Sequence, residues 1–488
     1  MRFTDKIESW WNKAIRAIII TCPFFITSCK KFVSIPDPIS TITTNEVFST
    51  DDQANSAMVG IYTQMINSNT NLFSNGATTF YLGLSSDELI DFEGTSDPNG
   101  YQFNSNTLLS TNNYINNSFW KPIYSNIYGA NSILAGLAGS TSGLLHDSAK
   151  NELTGEAKFI RAYCFFYLTS LFGDVPLLLT TNFNQTALMT RTPQIEVFKQ
   201  IVQDLEDAQG LLASDYSVGL GERIRPNKWA ATALLARVYL YMKNWPGAEK
   251  QSTAIITNSG LYNLDNLSAV FNTNSNEAIW QLQQNNNYRE TYNATIEGFN
   301  FIPNTPNSTS QFYLTNQLLA SFEGGDLRYS TWVGVDSTSI PGSKMYYPYK
   351  YTLSYSQRAS GGAIPQYYMM LRLAEQFLIR AEARANQGNI TGPNSSSSDI
   401  NMIRQRANLP LTQATTKNAV LAAIAHERQI ELFAEWGHRW LDLKRTEKAI
   451  GTLSGIPMKT GLSVNALLYP IPLSEVQTDP NLTQNAGY

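Results

Sequence analysis

The stretch Gly155–Leu177, GEAKFIRAYCFFYLTSLFGDVPL, constrains this chain more than any other. Phe159, Ile160, Tyr163, Phe166, Tyr167, Leu171 and Phe172 recur at spacings of three and four, which predicts a helix. Cys164, Phe165 and Leu168 widen the apolar stripe until it nearly circles the cylinder. A helix apolar on almost every side must be covered on almost every side, so other helices are expected to pack around it. Asp147 or Ser148 can cap its N-terminus, with Glu152 in the first turns where the macrodipole favours a carboxylate. Gly173 can supply a left-handed residue past its end, and Pro176 prevents continuation. Glu156, Lys158 and Arg161 form a narrow polar strip.

Candidate neighbours lie on both sides. Asp51–Met65 reads as a helix with Ala54, Ala57, Met58, Ile61 and Met65 on one face. Asn67–Asn113, rich in Asn, Ser, Thr and Gly, reads as loops and short strands. A helix opens near Phe119-Trp120 and runs to about Leu137, and Ile195–Leu212 is amphipathic. Ala230–Lys243 and Ala248–Asn258 form a pair joined at Trp245-Pro246. Within it Ala236, Tyr239 and Ala248 match the small and aromatic offsets of a tetratricopeptide repeat. From Gly260 to about Ile364 the texture changes. Ala278–Leu282 looks like a strand, Asn285–Ser310 is loop-like with Tyr288, Tyr292 and Phe299 amid Asn and Thr, and Tyr346, Tyr347, Tyr349, Tyr351 and Tyr355 crowd one segment. Helices resume at Arg372–Ala385 and Asp399–Ala407.

The densest charge run is His426–Arg445. Glu427, Glu431 and Glu435 recur every four residues and are predicted to share a helix face, with Arg428, Arg439 and Arg445 at hand as counter-ions. Two readings follow. Two of the glutamates could do acid–base work as in a glycosidase, or the run is a partly buried ion-pair network holding the last helices together. Trp436 and Trp440 interleave with the charges, which favours the structural reading.

The 488 residues are 43% hydrophobic and only 15% charged, with net charge −4; nucleic-acid binding, which needs a basic stripe, is excluded. Three Cys and three His without CxxC or HxxxH spacing exclude a structural zinc site. With no nucleotide loop and no triad pattern either, no cofactor and no metal are expected. At the N-terminus, Arg2, Lys6, Lys13 and Arg16 precede the apolar run Ala17–Ser28. That run is shorter than the roughly 20 residues a membrane span needs and fits a signal peptide. It ends at Ile26-Thr27-Ser28-Cys29, which resembles a bacterial lipobox, so cleavage would leave Cys29 lipidated and the protein held at a membrane. Phe32 to about Asn45, with Pro36, Asp37 and Pro38, reads as an extended tether. Cys164 then remains as the one free thiol, expected to be a small core hydrophobe.

The segment GEAKFIRAYCFFYLTSLFGDVPL resembles the hallmark of the SusD/RagB family of outer-membrane nutrient-binding lipoproteins. Further similar segments follow in order: the W..IY..I..AN.IL pattern from Trp120, the D.R step at Asp326–Arg328, RLAEQFLIRAEA from Arg372, the ER..EL..E..RW.DL.R run, and the ending at Ile471-Pro472 and Asn481–Tyr488. The resemblance implies a mainly α fold, tetratricopeptide-like helix pairs supporting a loop-rich, irregular lobe with short strands. It implies residues 1–28 as lipoprotein signal peptide, 29–45 as lipidated tether, 46–270 as the SusD-like N-terminal region and 271–488 as the RagB/SusD C-terminal region. The function implied is non-catalytic capture of a glycan at the surface of a Gram-negative outer membrane. Delivery would be to a SusC-like TonB-dependent transporter. Alternatives are capture of a peptide or other nutrient, a scaffold binding only protein, and, least favoured, a carboxylate-based glycoside hydrolase. Lys30 and Lys31 follow Cys29, where surface-exported lipoproteins of this family's bacteria often carry acidic residues.

A sugar presents an apolar C–H face and a rim of hydroxyls, so its site needs aromatic surface beside amide or carboxylate groups. Two loop regions offer that mixture and resemble the family's ligand-contacting regions: Asp91, Phe92, Tyr101 and Asn104, and Tyr288, Arg289, Tyr292 and Asn293.

Overall fold

The computed structural model describes residues 44–67, 71–289, 291–304, 308–338, 340 and 342–488. The expected signal peptide and the lipidation site Cys29 lie outside the described residues. The principal helices are α1 (Asp51–Ile66), α2 (Ala77–Ser85), α3 (Lys121–Gly139), α4 (Asp147–Phe172), α5 (Gln194–Leu211), α6 (Lys228–Tyr241), α7 (Trp245–Ile256), α8 (Leu373–Asn386), α9 (Ser396–Arg406), α10 (Lys417–Glu431) and α11 (His438–Arg445). The strands are short: β1 (Leu89–Asp91), β2 (Ala278–Leu282), β3 (Phe312–Leu314), β4 (Val333–Asp336), β5 (Met345–Pro348) and β6 (Tyr368–Arg372).

The helices stack in sequence order, as the tetratricopeptide-like reading expects. They form the pairs α1/α3, α4/α5, α6/α7 and α8/α9, with α10 against both members of the last pair, and α3 packs on α4, α5 on α6, and α7 on α8. The last contact is the informative one. Residues 257–372 leave the array as a loop-rich lobe, and the array resumes against α7 as though uninterrupted. Ala236 and Ala248, both fully buried, let α6 and α7 approach closely. The predicted turn at Trp245-Pro246 is instead the first turn of α7. Asn244 caps it through the Gly247 N–H (3.1 Å), and Lys243 at φ +57° closes the preceding helix.

Helix α4 is the axis of the array. Every residue from Phe159 to Phe172 is buried, because α3 and α5 flank α4 while α1 and α6 touch it. Phe159 and Tyr163 also meet the Trp280 ring of β2 edge-on, at 4.9 and 5.4 Å between centroids. Each large apolar side chain sequestered this way contributes about 1.5–3 kcal/mol. Gly155 marks the closest approach, since a Cβ there would lie 2.9 Å from the Leu212 side chain. Asp147 is the first helical residue rather than the cap; His146 holds the cap position and fixes the helix start to α1 through Asp51, by its backbone N–H (2.8 Å) and its ring (2.7 Å).

The polar strip on α4 is not a solvated face. Glu156 accepts from Arg225 (2.5 Å) and from the Tyr62 hydroxyl of α1, and Arg161 makes a fork to Asp204 of α5 (2.7 and 2.8 Å). These pairs are buried, so their geometry fixes which helices are neighbours more than it adds stability. Arg237 of α6 does the same for α8 through Glu375, both contacts 2.7 Å.

One segment read as loops and short strands carries a helix, and Arg372, read as the first residue of a helix, ends a strand. Helix α2 lies inside Asn67–Asn113 with all nine residues buried, so it shows no polar face and no helical period. Strand β6, antiparallel to β2, occupies the residues just before α8. Strand β1 pairs antiparallel with β3, Leu89↔Leu314 through Asp91↔Phe312, which fastens the loop region before α3 to the inserted lobe.

The C-terminal glutamates are arranged differently from the sequence reading. Helix α10 ends at Glu431, and Glu435 lies in the following turn, where Ala434, Trp436 and Gly437 take φ of +50°, +48° and +66°. Gly437 is required there, because a Cβ would sit 2.2 Å from Leu82. Nor are the counter-ions Arg428, Arg439 and Arg445, which pair instead with Asp442, Asp87 and Glu382. Arg328 reaches Glu427 (2.5 Å) and Glu431 (3.1 Å), and Arg372 reaches Glu431 (2.6 Å) and Glu435 (2.8 Å). Arg406 pairs with Glu431, and Lys350 donates to Glu435 (2.5 Å). All three carboxylates are buried and neutralised by cations, a structural role. Burial alone would raise the Glu431 carboxyl, but the guanidiniums of Arg406, Arg372 and Arg328 hold it well below the usual carboxylate range.

Candidate ligand-binding surface

The first expected group sits where β1 leaves its pairing with β3. The ladder continues one bond further, from the Phe92 N–H to the Gln311 carbonyl (2.8 Å), and fixes the backbone of Phe92. Its side chain is 39% exposed and rests edge-on against Tyr313 (5.5 Å). Tyr313 is itself immobile: buried, its hydroxyl donates to Asp336 (2.9 Å) and accepts from the Ser310 N–H (2.9 Å). Phe92 therefore presents an apolar face on a rigid support. Its neighbours are less available. Asp91 is buried and accepts from the Glu93 N–H (3.0 Å), and burial pushes its carboxyl up to about 7. Tyr101 is half-buried on the short helix Pro98–Ser105, and Asn104 on the same helix is buried.

The second group follows β2. Arg289 is exposed, and Tyr288 and Tyr292 are half-buried. Tyr292 takes φ +47°, a left-handed conformation that turns the chain after the Tyr288 carbonyl accepts its N–H (2.8 Å). Asn293 is committed to the protein's own backbone. Its side chain is buried and pins two loops together, accepting from the Ala359 N–H (2.8 Å) and donating to the Ala363 carbonyl (2.8 Å). Asn286 adds a bond to the Gly362 carbonyl (2.6 Å). Asn286 and Asn293 thus tie their loop to residues 359–363.

These tied loops assemble a cluster beyond the sequence candidates. The Arg358 guanidinium lies 3.6 Å from the Tyr355 ring centroid, 5.6 Å from that of Tyr292 and 5.9 Å from that of Phe299. Phe299 and Tyr355 meet edge to face at 4.8 Å. Arg358 also donates to the Tyr355 carbonyl (2.7 Å), so its planar head is held over the rings rather than free to wander. Tyr355 is 39% exposed, and Tyr292, Phe299 and Arg358 are half-buried. The two expected groups are linked through this region: Ser310, which bonds Tyr313 under Phe92, also donates to the Asn300 carbonyl (2.9 Å) beside Phe299. Tyrosine crowding marked the segment holding Tyr355, and Phe299 stood out among polar residues; nothing in the sequence marked Arg358.

The chemistry this surface offers is recognition: flat aromatic faces, a fixed guanidinium and backbone carbonyls. Among the described residues no group of three or more His, Cys, Asp or Glu is placed to hold a metal ion. Cys164 is buried, and burial pushes its thiol well above the usual range, so it is no nucleophile. No helix among the described residues is long and apolar enough to cross a membrane.

Comparison with known proteins gives consistent relatives. Residues 315–488 match the model of the SusD family, and residues 83–240 match a model described as starch-binding and associating with the outer membrane. SusD-like protein P25 of Formosa agariphila is 25% identical over 95% of this chain and 97% of its own. The starch-binding protein SusD of Bacteroides thetaiotaomicron is 35% identical over 127 residues, 24% of this chain and 21% of that protein. Among solved structures, a SusD superfamily protein from Bacteroides vulgatus superposes with a TM-score of 0.78 at 24% identity, over 90% of this chain and all of that one. A laminarin-binding SusD-like protein superposes with a TM-score of 0.74 at 25% identity, again over 90% of this chain and 100% of its own.

Proposed function

We propose, from the premise that this chain is a SusD-like protein, that its inserted lobe captures a glycan without cleaving it. The observation that carries this reading is the Tyr292–Phe299–Tyr355 cluster around Arg358, half-open on loops that are hydrogen-bonded to each other and mounted on a rigid helical array. Aromatic faces take the C–H surface of a sugar, and the guanidinium and loop carbonyls take its hydroxyls. Phe92, on its Tyr313 support, adds a second platform, with Tyr288 and Arg289 beside Tyr292 completing the polar rim. Because these groups are held before ligand arrives, little ordering cost is paid on binding.

The relatives agree in class, one named for laminarin and one for starch. Membrane association is part of the description of the matched family model. Anchoring through a lipid on Cys29, with Lys30 and Lys31 at the membrane surface, and delivery of the glycan to a SusC-like TonB-dependent transporter complete the reading. Sequestration of Glu427, Glu431 and Glu435 among guanidiniums leaves that cluster unavailable for glycoside hydrolysis.

The test is thermal unfolding with a panel of neutral oligosaccharides that includes β-1,3-glucans and malto-oligosaccharides. A ligand that binds only the native state at a hundred times its Kd adds about 2.7 kcal/mol and raises the midpoint. We expect at least one glycan to do so, and the shift to vanish in Tyr292→Ala/Tyr355→Ala. No shift across the panel, or shorter products after incubation, overturns the reading.

A further inference from the structure

The face of β1 that carries Phe92 does not end at that ring. Side chains alternate across a strand, so Ile90 shares the face, about 7 Å back along the chain. Ile90 is half-buried and lines a cavity of about 390 Å³ bounded by β1, the end of β3, β5 and the short helix Asn316–Ser321. That size falls in the range of small-ligand pockets, about 300–1,000 Å³.

One wall is aromatic. Tyr346 of β5 lines the cavity and is half-buried. Its backbone is fixed by the pairing of β5 with β4, where it stands opposite Val335. Its ring is braced by a relay of rings that ends in the core: Tyr329 at 6.4 Å, then Phe322 against Tyr329 at 5.4 Å, then the buried Phe433 against Phe322 at 5.8 Å. Met345 beside Tyr346 extends the apolar wall. The polar groups come from Asn316 and Gln317, whose exposed side chains line the same cavity and have no protein partner among the described residues. Their backbone is set by Thr315, whose hydroxyl accepts from the Leu318 N–H (3.1 Å) and donates to the Asp87 carbonyl (2.5 Å). Both amides are therefore open to solvent on a fixed mount, and each donates and accepts. Lys344 is the one charged residue of the lining and is exposed, so its ammonium stays hydrated and screened.

We propose that this cavity is an additional subsite for a neutral pyranose of the same glycan chain whose neighbouring unit lies on Phe92, so that the protein selects an extended run of sugars over a short one. The inference rests on the glycan-capture reading above. The C–H face of the sugar lies on Tyr346 and Met345, and its hydroxyls meet the Asn316 and Gln317 amides. Continuity with the Phe92 platform is what identifies the occupant: two supports on one strand face, spaced two residues apart, take successive stretches of one chain. A unit tethered to one already bound pays no second loss of translational freedom, so the gain appears as a dependence of affinity on chain length.

Titration calorimetry on the full folded chain tests this, with laminaribiose, laminarihexaose, maltose and maltohexaose as probes. We expect at least one hexaose to bind about tenfold or more tighter than its disaccharide. Tyr346→Ala should remove most of that gain, weakening the hexaose about tenfold and leaving the disaccharide unchanged, while Tyr346→Phe, which keeps the ring, should keep the gain. Asn316→Ala/Gln317→Ala, at two exposed positions where folding is not at stake, should weaken the hexaose several-fold. Tyr292→Ala/Tyr355→Ala should weaken both lengths. A hexaose that binds no tighter than its disaccharide, hexaose affinity indifferent to Tyr346→Ala and to the amide pair, or an equal loss for both lengths in Tyr346→Ala overturns the subsite and leaves capture at the Tyr292 cluster standing. Absence of binding by all four probes overturns the capture reading itself, and the subsite with it.

Discussion

Replacing Glu431 by Gln removes one charge from the most congested ion-pair cluster in the molecule. The side chain is fully buried and faces Arg328, Arg372 and Arg406 together. An amide of the same shape keeps one acceptor oxygen, offers an NH₂ where those guanidiniums need an acceptor, and leaves their charge under-compensated. Breaking a buried pair by removing one partner costs about 3–5 kcal/mol. Three cations share the loss here, and Glu427 and Glu435 remain to take part of it, so the lower half of that range is expected. At about 2 cal/mol/K per residue over the roughly 440 residues of the folded unit, the unfolding entropy is about 0.9 kcal/mol/K, and the midpoint falls by about 3–5 °C at pH 7. The pH dependence supplies a second check. The folded carboxyl lies below its ordinary value of 4.5, so its contribution is complete above that pH and is lost as pH falls through the folded value. The difference between wild type and Glu431→Gln should therefore be full at pH 7 and narrow below about pH 4.5. Circular dichroism melts at pH 7, 5 and 3.5, with glycan binding measured at pH 7, decide it. An unchanged midpoint at pH 7 refutes the electrostatic argument, and unchanged stability with abolished binding would move Glu431 into a ligand site.

Cys29→Ala should release the protein from membranes or leave its signal uncleaved; outer-membrane fractionation with retained fatty-acid label in the mutant would refute the anchor. Tyr288→Ala or Tyr292→Ala should weaken glycan capture with the melting curve intact, and calorimetry showing full affinity in both single mutants and the double mutant would remove that loop from the site. Asp91→Asn should behave oppositely to Glu431→Gln. Burial raises the Asp91 carboxyl from 3.8 to about 7, so its contribution is complete below pH 3.8 and lost as pH rises through 7. The variant should accordingly be more stable than wild type at pH 8 and equal to it near pH 4; a destabilised variant at pH 8 would mean that the ionised carboxylate is used.

How far such outcomes could be anticipated from the chain alone varies element by element. Helices α1, α4, α5 and α6 follow from local signals, namely caps, terminators and an apolar period, because a helix is built from contacts three and four residues apart. The near-complete apolar circumference of α4 even announced its place at the centre, since only burial on every side can accommodate it. Helix α2 was invisible for the same reason in reverse: with every residue buried, the contrast between faces that a period measures disappears. Pairing is where local information ends. The glutamates of the C-terminal run could be read as needing cations, but Arg328, Arg372 and Lys350, which supply them, lie far away in the chain, while the nearby Arg428, Arg439 and Arg445 are drawn to other acids. The candidate ligand surface depends on the same kind of long-range choice. Tyr292 could be selected for its type and its loop, but Tyr355 and Arg358 join it only because Asn293, itself read as a ligand contact, spends its amide binding Ala359 and Ala363. Residue type and local period fix what each segment can bury or cap; which distant partner satisfies a charge or an amide is decided by how the helical array closes on itself, since such a bond gains its strength only once burial has excluded the water that would otherwise compete for it.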